Sequence, residues 1–264
     1  MKKAIFLDID GTILDCLGGI NNITGRVREA IKRVQAEGNY VFVATGRPYA
    51  FISQALLDFG FDGFILANGA QVIINDKVIY DEFIEQDYMI NLINELEKHK
   101  IQYMLEGAYY SYLKKEFKEF YNYYDKVGIS KKLIREEFNI NDIFIHKIEL
   151  LCLNEESKKE CLSLISGNPK YDYFCSIRED VFELYMKDNT KAHGIIKALD
   201  YLNIPLENSY AFGDGTNDIE MLQAVGCGIA MGNASDEVKG YADKITDTVH
   251  NDGVAVGIEE FVLC

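Results

Sequence analysis

Only three prolines occur in 264 residues, so no Pro-rich linker divides the chain. Six cysteines are present, but none forms a Cys-x-x-Cys pair and none has histidine nearby at zinc spacing, which argues against a structural zinc site. A disulfide framework is not expected either, because the chain has ample core-forming material and Cys152 sits in the apolar run Leu150-Leu151-Cys152-Leu153. Positive charge is scarce: 27 Lys and Arg face 42 Asp and Glu, a formal net charge of −15. The lysines are scattered rather than gathered in a stripe, which argues against a nucleic-acid partner, since phosphate backbones are held through clustered cations. No apolar run reaches the ~18 residues of a membrane span. Lys2 and Lys3 precede only a short apolar run before Asp8, too little for a secretory signal core. The expectation is a cytoplasmic protein with reduced thiols and no membrane association.

What is present is an ordinary globular balance, 48% hydrophobic and 26% charged. The length alone allows one large domain or two modest ones. Ala4-Ile5-Phe6-Leu7 reads as a short buried strand, and Val27, Ala30, Ile31 and Val34 recur at helical spacing before Gly38. Tyr40-Val41-Phe42-Val43-Ala44 and Phe64-Ile65-Leu66-Ala67 read as further buried strands, with a helix expected between them over Tyr49 to Phe59. Apolar strands alternating with helices predict a parallel sheet covered on both faces. A hairpin follows around Asn75-Asp76. From about Phe83 to Leu184 the texture changes to Tyr, Lys, Glu and Asn, with short strands such as His146 to Leu153, Tyr173 to Ser176 and Val181 to Tyr185. The first texture returns near residue 186, with a helix face at Ala192, Ile195, Ile196 and Leu199 and a buried strand at Ser209 to Phe212. The predicted fold is therefore α/β: a Rossmann-like parallel-sheet core, residues 1–82 and 186–264, interrupted by an inserted α+β cap at 83–185.

Four loops carry polar groups suited to one site. Asp8-Ile9-Asp10-Gly11-Thr12 closes the first strand, and its two carboxylates project to one side with Ile9 turned away. Open α/β sheets bind ligands at such carboxyl ends. Thr45-Gly46-Arg47 offers a hydroxyl and a bare backbone N–H, which suit an anion or, equally, a plain helix cap. Lys191 opens a helix, where its charge opposes the macrodipole; alone it reads as a solvated surface lysine, and a bound anion would resolve the conflict. Gly213-Asp214-Gly215-Thr216-Asn217-Asp218 supplies a second acidic pair. Mg²⁺ is commonly held by one or two carboxylates with substrate phosphate and water, a need that Asp8 and Asp214 on neighbouring strand ends fit.

In this order, the four segments resemble the haloacid dehalogenase-like superfamily of phosphatases, most closely its Cof-type subgroup with a large α/β cap. The resemblance covers the whole chain and extends to Gly226-Cys227-Gly228-Ile229-Ala230-Met231-Gly232-Asn233-Ala234 and Asn251-Asp252-Gly253-Val254-Ala255. It implies an Mg²⁺-dependent phosphatase acting on a small phosphorylated metabolite, as a monomer or homodimer. Asp8 is implied as nucleophile and Asp10 as general acid and base. The metal set is implied as Asp8, the Asp10 carbonyl, Asp214 and Asp218, with Thr45, Gly46, Lys191 and Asn217 around the phosphoryl oxygens. Arg47 is expected either to reach the leaving group or to brace its loop. A dehalogenase would need neither Asp10 nor a metal-binding fourth loop. A mutase on the same scaffold stays open and would be told apart by an isomeric phosphate product. A phospho-accepting receiver shares parts of the constellation, but a full-size cap and an acid/base Asp10 favour turnover over a lasting phosphoryl mark. The tyrosines at 109, 110, 112, 121, 123 and 124 suit either a ligand pocket or the insert's own core. The resemblance does not extend to a particular substrate.

Overall fold

The computed structural model describes residues 2–16, 18–127, 129–175 and 180–263. Cys264 and the Ser176 end of the expected Tyr173–Ser176 strand lie outside the described residues. The chain divides into two compact units, one of Met1–Gly46, Gln54–Tyr80 and Thr190–Cys264, the other of Arg47–Ser53 and Asp81–Asn189.

In chain order, the first unit begins with strands β1 (Ala4–Leu7), β2 (Tyr40–Ala44), β3 (Gly63–Leu66), β4 (Gln71–Ile74) and β5 (Lys77–Asp81). The second unit holds β6 (Gln102–Gly107), β7 (Ser111–Tyr112), β8 (Ile134–Arg135), β9 (Ile145–Leu151), β10 (Tyr171–Cys175) and β11 (Val181–Met186). The chain returns to the first sheet with β12 (Ser209–Gly213), β13 (Cys227–Ala230) and β14 (Lys244–Ile245).

The first sheet runs β14-β13-β12-β1-β2-β3-β4-β5. From β14 through β3 every neighbour is parallel, whereas β4 turns back antiparallel to β3. Asn75 and Asp76 then reverse the chain with φ of 47° and 61°, the left-handed pair that a tight two-residue connection requires. Continuous apolar strands suit this sheet because helices cover it on both faces. On one face Phe6, Phe42 and Ile65 pack with Ile195, Ala198 and Leu199 of the helix Lys191–Leu202. The helix Gly25–Ala36 buries Val27, Ala30, Ile31 and Val34, the stripe read from the sequence. β1 lies between β12 and β2, so the connections diverge at this point and leave a crevice beyond the strand ends. Leu7 is in register with Phe212, which brings Asp8 level with the Gly213-Asp214 loop.

The second unit is a sheet ordered β10-β11-β9-β6-β7-β8, antiparallel except for the β7–β8 pair. One face packs under the helices Gln86–Lys98 and Glu155–Ile165 through Met89, Ile93, Leu96, Cys161 and Ile165. The expected helix Tyr49–Phe59 does not form. It breaks at Ile52, whose backbone is extended, into a turn at Tyr49–Phe51 and a short helix at Gln54–Leu57. The reason is packing: Ala50 and Phe51 are buried with Met104, Leu113, Phe120 and Tyr124 of the second unit. Tyr124 is thus a core residue, whereas Tyr109 is 52% exposed. The five cysteines among the described residues are all free thiols.

Between these aromatics and the sheet lies a buried charged cluster. Lys147 Nζ stands 2.8 Å from Glu183 Oε2 and 3.3 Å from Glu106 Oε2, while Tyr124 donates its hydroxyl hydrogen to Glu149. Burial pushes the Glu106 carboxyl well above its usual range, with Lys147 opposing and Glu149 reinforcing. A carboxyl raised by folding lends stability that is complete below its unfolded pKa and is lost as the pH climbs through the folded one. Replacing Glu106 by Gln should therefore cost under about 1 kcal/mol at pH 7 and should flatten the alkaline loss of stability. Lys147→Met, which strands the carboxylates, should cost about 3–5 kcal/mol. Denaturant titrations of both variants at pH 7 and pH 9 check this; equal losses would rule out the proton on Glu106.

Candidate active site

Asp8 is fixed by its own backbone, whose N–H donates to Phe212 O at 3.0 Å across the β1–β12 seam. The chain then curls: Ile9 is buried, and its carbonyl accepts the N–H groups of Ile13 at 3.0 Å and Leu14 at 2.8 Å. Gly11 has φ of 86°, and a Cβ on it would stand 2.1 Å from Asp214 Oδ2. Only glycine allows both the turn and that approach. Thr12 Oγ1 donates to Asp214 Oδ1 at 3.2 Å and joins the first loop to the fourth.

Asp218 organises the fourth loop from a short turn at Thr216–Asp218. Its Oδ2 accepts the N–H groups of Asp214 and Gly215, both at 2.9 Å. Its Oδ1 accepts from Lys191 Nζ at 2.6 Å, and the same ammonium donates to Asp8 Oδ1 at 2.6 Å. Lys191 is therefore not a surface lysine: it is 1% exposed. The conflict with its helix macrodipole is resolved inside the chain by two carboxylates. Thr190 caps the helix by accepting the His193 N–H at 3.1 Å.

The electrostatics follow from crowding. Burial, then Asp218, raise the Asp8 carboxyl to about 8 against the pull of Lys191. Burial and Asp218 likewise raise Asp214 to about 6, with Thr12 acting the other way. Burial opposes the Lys191 charge, but Asp218 and Asp8 outweigh it and push its pKa up. One oxygen from each of Asp8, Asp214 and Asp218 falls within 4.8 Å of the others. Converging carboxylates, with Asp8 and Asp214 raised first by burial and then by the nearby Asp218, suit a hard divalent cation, which would relieve that repulsion.

Four of the sequence-derived residues, Asp8, Asp214, Asp218 and Lys191, thus meet in one cluster. Asp10 is exposed and adds to the repulsion felt by Asp8 and Asp214; its carboxylate is not one of the converging three. Thr45 is buried at the end of β2, with its N–H on Ile65 O at 2.9 Å. Gly46 lies beside Asn68. Asn217 is exposed on the fourth loop, and its Oδ1 overhangs Gly215. Arg47 belongs to the second unit, where its guanidinium donates to Phe51 O at 3.3 Å. The sequence reading missed Asn233, whose Nδ2 donates to Gly11 O at 2.9 Å and to Asp214 Oδ2 at 3.3 Å. Its Oδ1 accepts the Val249 N–H at 2.8 Å. The only signal was its place in the Met231-Gly232-Asn233-Ala234 segment. Thr12, which its place in the first motif does not single out, ties that loop to Asp214.

A family model for haloacid dehalogenase-like hydrolases matches residues 5–258. The chain belongs to that family. YkrA of Bacillus subtilis (strain 168) is 31% identical over 269 residues, covering 99% of this chain and 98% of its own. The 5-amino-6-(5-phospho-D-ribitylamino)uracil phosphatase YitU of the same organism is 28% identical, with 97% and 96% covered. Among solved structures, the HAD subclass IIB sugar phosphatase BT4131 superposes with a TM-score of 0.80 at 28% identity, covering 98% of this chain and 99% of that one. This haloacid dehalogenase-like hydrolase carries its candidate metal centre at the β1–β12 seam. Among the described residues, no helix is long and apolar enough to cross a membrane.

The raised carboxyls fix the sign of a pH effect. In metal-free protein, the stability linked to Asp8 and Asp214 is complete below their unfolded value of 3.8 and is lost as the pH rises through about 6 and about 8. Thermal melts without metal should fall steadily from pH 5 to pH 9. A divalent cation must displace those protons, so its affinity should rise by up to about a hundredfold per pH unit below about pH 6, by about tenfold per unit between about 6 and about 8, and level off above about 8. Calorimetric titration with Mg²⁺ at pH 5.5, 7 and 8.5 reads this; a flat affinity would contradict the proton competition.

Proposed function

We propose that this chain is an Mg²⁺-dependent phosphatase that hydrolyses phosphomonoesters of small metabolites, such as sugar phosphates, through an aspartyl-phosphate at Asp8. The observation that carries the reading is the buried Lys191 ammonium shared by Asp8 and Asp218, with Asp214 converging from the adjacent strand end. Asp8, Asp214 and the Asp10 carbonyl would hold the cation, with Asp218 supporting them. When bound, the ion would neutralise phosphoryl charge and favour the ionised form of Asp8.

The remaining work belongs to the chain's own groups. The Asp8 carboxylate attacks phosphorus, and the bond to the leaving oxygen breaks as Asp10 donates a proton to that alkoxide. Asp10, now a carboxylate, takes a proton from water, whose attack on the phosphorus releases phosphate and regenerates Asp8. Lys191, the Thr45 hydroxyl, the Gly46 N–H and Asn217 stabilise the phosphoryl oxygens; phosphoryl transfer depends chiefly on such positioning and charge. The core, 1–82 and 186–264, carries this chemistry, and the insert, 83–185, selects the substrate. Arg47 either reaches the leaving group or braces its own loop, where its guanidinium donates to Phe51 O. The likeness to a sugar phosphatase and to a ribitylaminouracil phosphatase supports a small phosphorylated metabolite as substrate. The reading implies a soluble cytoplasmic enzyme, monomeric or homodimeric.

Asp8→Asn keeps the size of the side chain and an oxygen that can accept from Lys191 Nζ, so the variant should melt within a few degrees of the parent. It should release no measurable phosphate from a panel of phosphorylated metabolites with Mg²⁺, a loss of at least about 10⁴-fold in kcat. Appreciable turnover by that variant would refute the nucleophile, and an isomeric phosphate as sole product would identify a mutase instead.

A further inference from the structure

Three consecutive residues at the carboxyl end of β3 have positive φ: Ala67 at 49°, Asn68 at 54° and Gly69 at 96°. Outside a tight hairpin connection such as Asn75-Asp76, L-residues visit this region singly, because Cβ crowds the following carbonyl, and two non-glycine residues in succession are unusual. Backbone strain of this kind persists only where the surroundings over-determine it. Here the surroundings are two of the four loops.

On one side, Asn68 N–H donates to Thr45 O at 3.1 Å. Its side chain covers Gly46, so closely that a Cβ there would lie 2.9 Å from Asn68 Oδ1. On the other side, Gly69 abuts the start of the helix led by Lys191. A Cβ on Gly69 would lie 2.0 Å from Thr190 O, and one on Gly194 would lie 3.1 Å from the Gly69 Cα. The left-handed turn thus touches both the Thr45-Gly46 loop and the helix start that carries Lys191. Asn68 Oδ1 is buried and has no hydrogen-bond partner. A turn needed only for its shape would be better served by glycine, which has neither the strain nor the orphaned oxygen.

We propose that Ala67–Asn68–Gly69 is a positioning element of the phosphoryl site, and that Asn68 is a positioning residue that holds Thr45 and Gly46 at a set spacing from Lys191. Asn68 acts through Gly46 and Thr45 rather than on the reacting atoms. The inference rests on the phosphatase reading above. Phosphoryl oxygens are recognised by donors fixed in advance, so a shift of about 1 Å in one donor costs on the order of 10²-fold in rate.

The test uses the full chain with Mg²⁺ and three readouts: thermal midpoint, steady-state phosphate release, and calorimetric affinity for inorganic phosphate. Asn68→Gly accepts the positive φ but removes the cover over Gly46. It should melt at or above the parent temperature, while kcat/KM falls at least tenfold and phosphate affinity weakens at least fivefold. Asn68→Asp keeps the shape and sets an anion beside Gly46; phosphate affinity should weaken further, with the midpoint little changed. A purely structural role would move the midpoint and leave the kinetics of the folded fraction alone. The proposal is overturned if both variants keep kcat/KM and phosphate affinity within twofold of the parent, or if activity falls only with the folded fraction. A parent chain that binds phosphate but releases none from any ester would sink the phosphatase reading alone, and the affinity comparison would still decide the role of Asn68.

Discussion

A single buried ammonium makes the centre of this protein possible. Lys191 donates to Asp8 and Asp218 at 2.6 Å each, in surroundings where water supplies almost no screening. Without that cation, carboxylates converging at the strand ends would repel one another and resist ionisation together. With it, one negative charge is balanced and the rest remain as an excess suited to a divalent ion. The requirement extends outward. The helix that begins at Lys191 must come close enough for a flexible side chain to reach two strand ends. The meeting of Gly69 with Thr190 and Gly194, where no Cβ would fit, provides that approach.

The sheet topology supplies the other half of the arrangement. Because β1 lies between β12 and β2, Asp8 and Asp214 leave adjacent strands where the connections diverge. Gly11 lets the first loop pass against Asp214, Thr12 and Asn233 tie that carboxylate from two directions, and Asp218 closes the fourth loop onto itself. Each acidic group therefore has a fixed orientation before any ligand arrives. Such preorganisation is what charge-stabilising chemistry needs, since donors that must reorganise lose much of their value.

Much of this was legible in the residues. The buried strands announced themselves as short apolar runs closed by glycine, and the helix Gly25–Ala36 buries the four residues its spacing marks. Asp8 and Asp214 stand out because they follow strands directly, and Asp218 because it lies a helical turn beyond the second of these strand ends. Lys191 taken alone reads as a surface lysine yet is buried, because burial is a property of what packs around a residue and not of the residue. The segment Tyr49–Phe59 has helical spacing but breaks at Ile52, because Ala50 and Phe51 are drawn into the aromatic core of the second unit. Asn233 and Asn68 were invisible as site residues, since each acts through contacts with loops distant in sequence.

The sequence by itself determined the classes of group present, the strand ends that bear them, and the interruption of one α/β texture by another. Local periodicity and turn chemistry suffice for that, because both act over a few neighbouring residues. Tertiary structure alone decided which carboxylates share an ammonium, which way the second sheet is ordered, and where backbone strain is tolerated. Those outcomes depend on distances between segments up to about two hundred residues apart, such as Asp8 and Lys191. Coulomb energy and desolvation change steeply over a few ångströms at that range of approach, and no spacing along the chain encodes it.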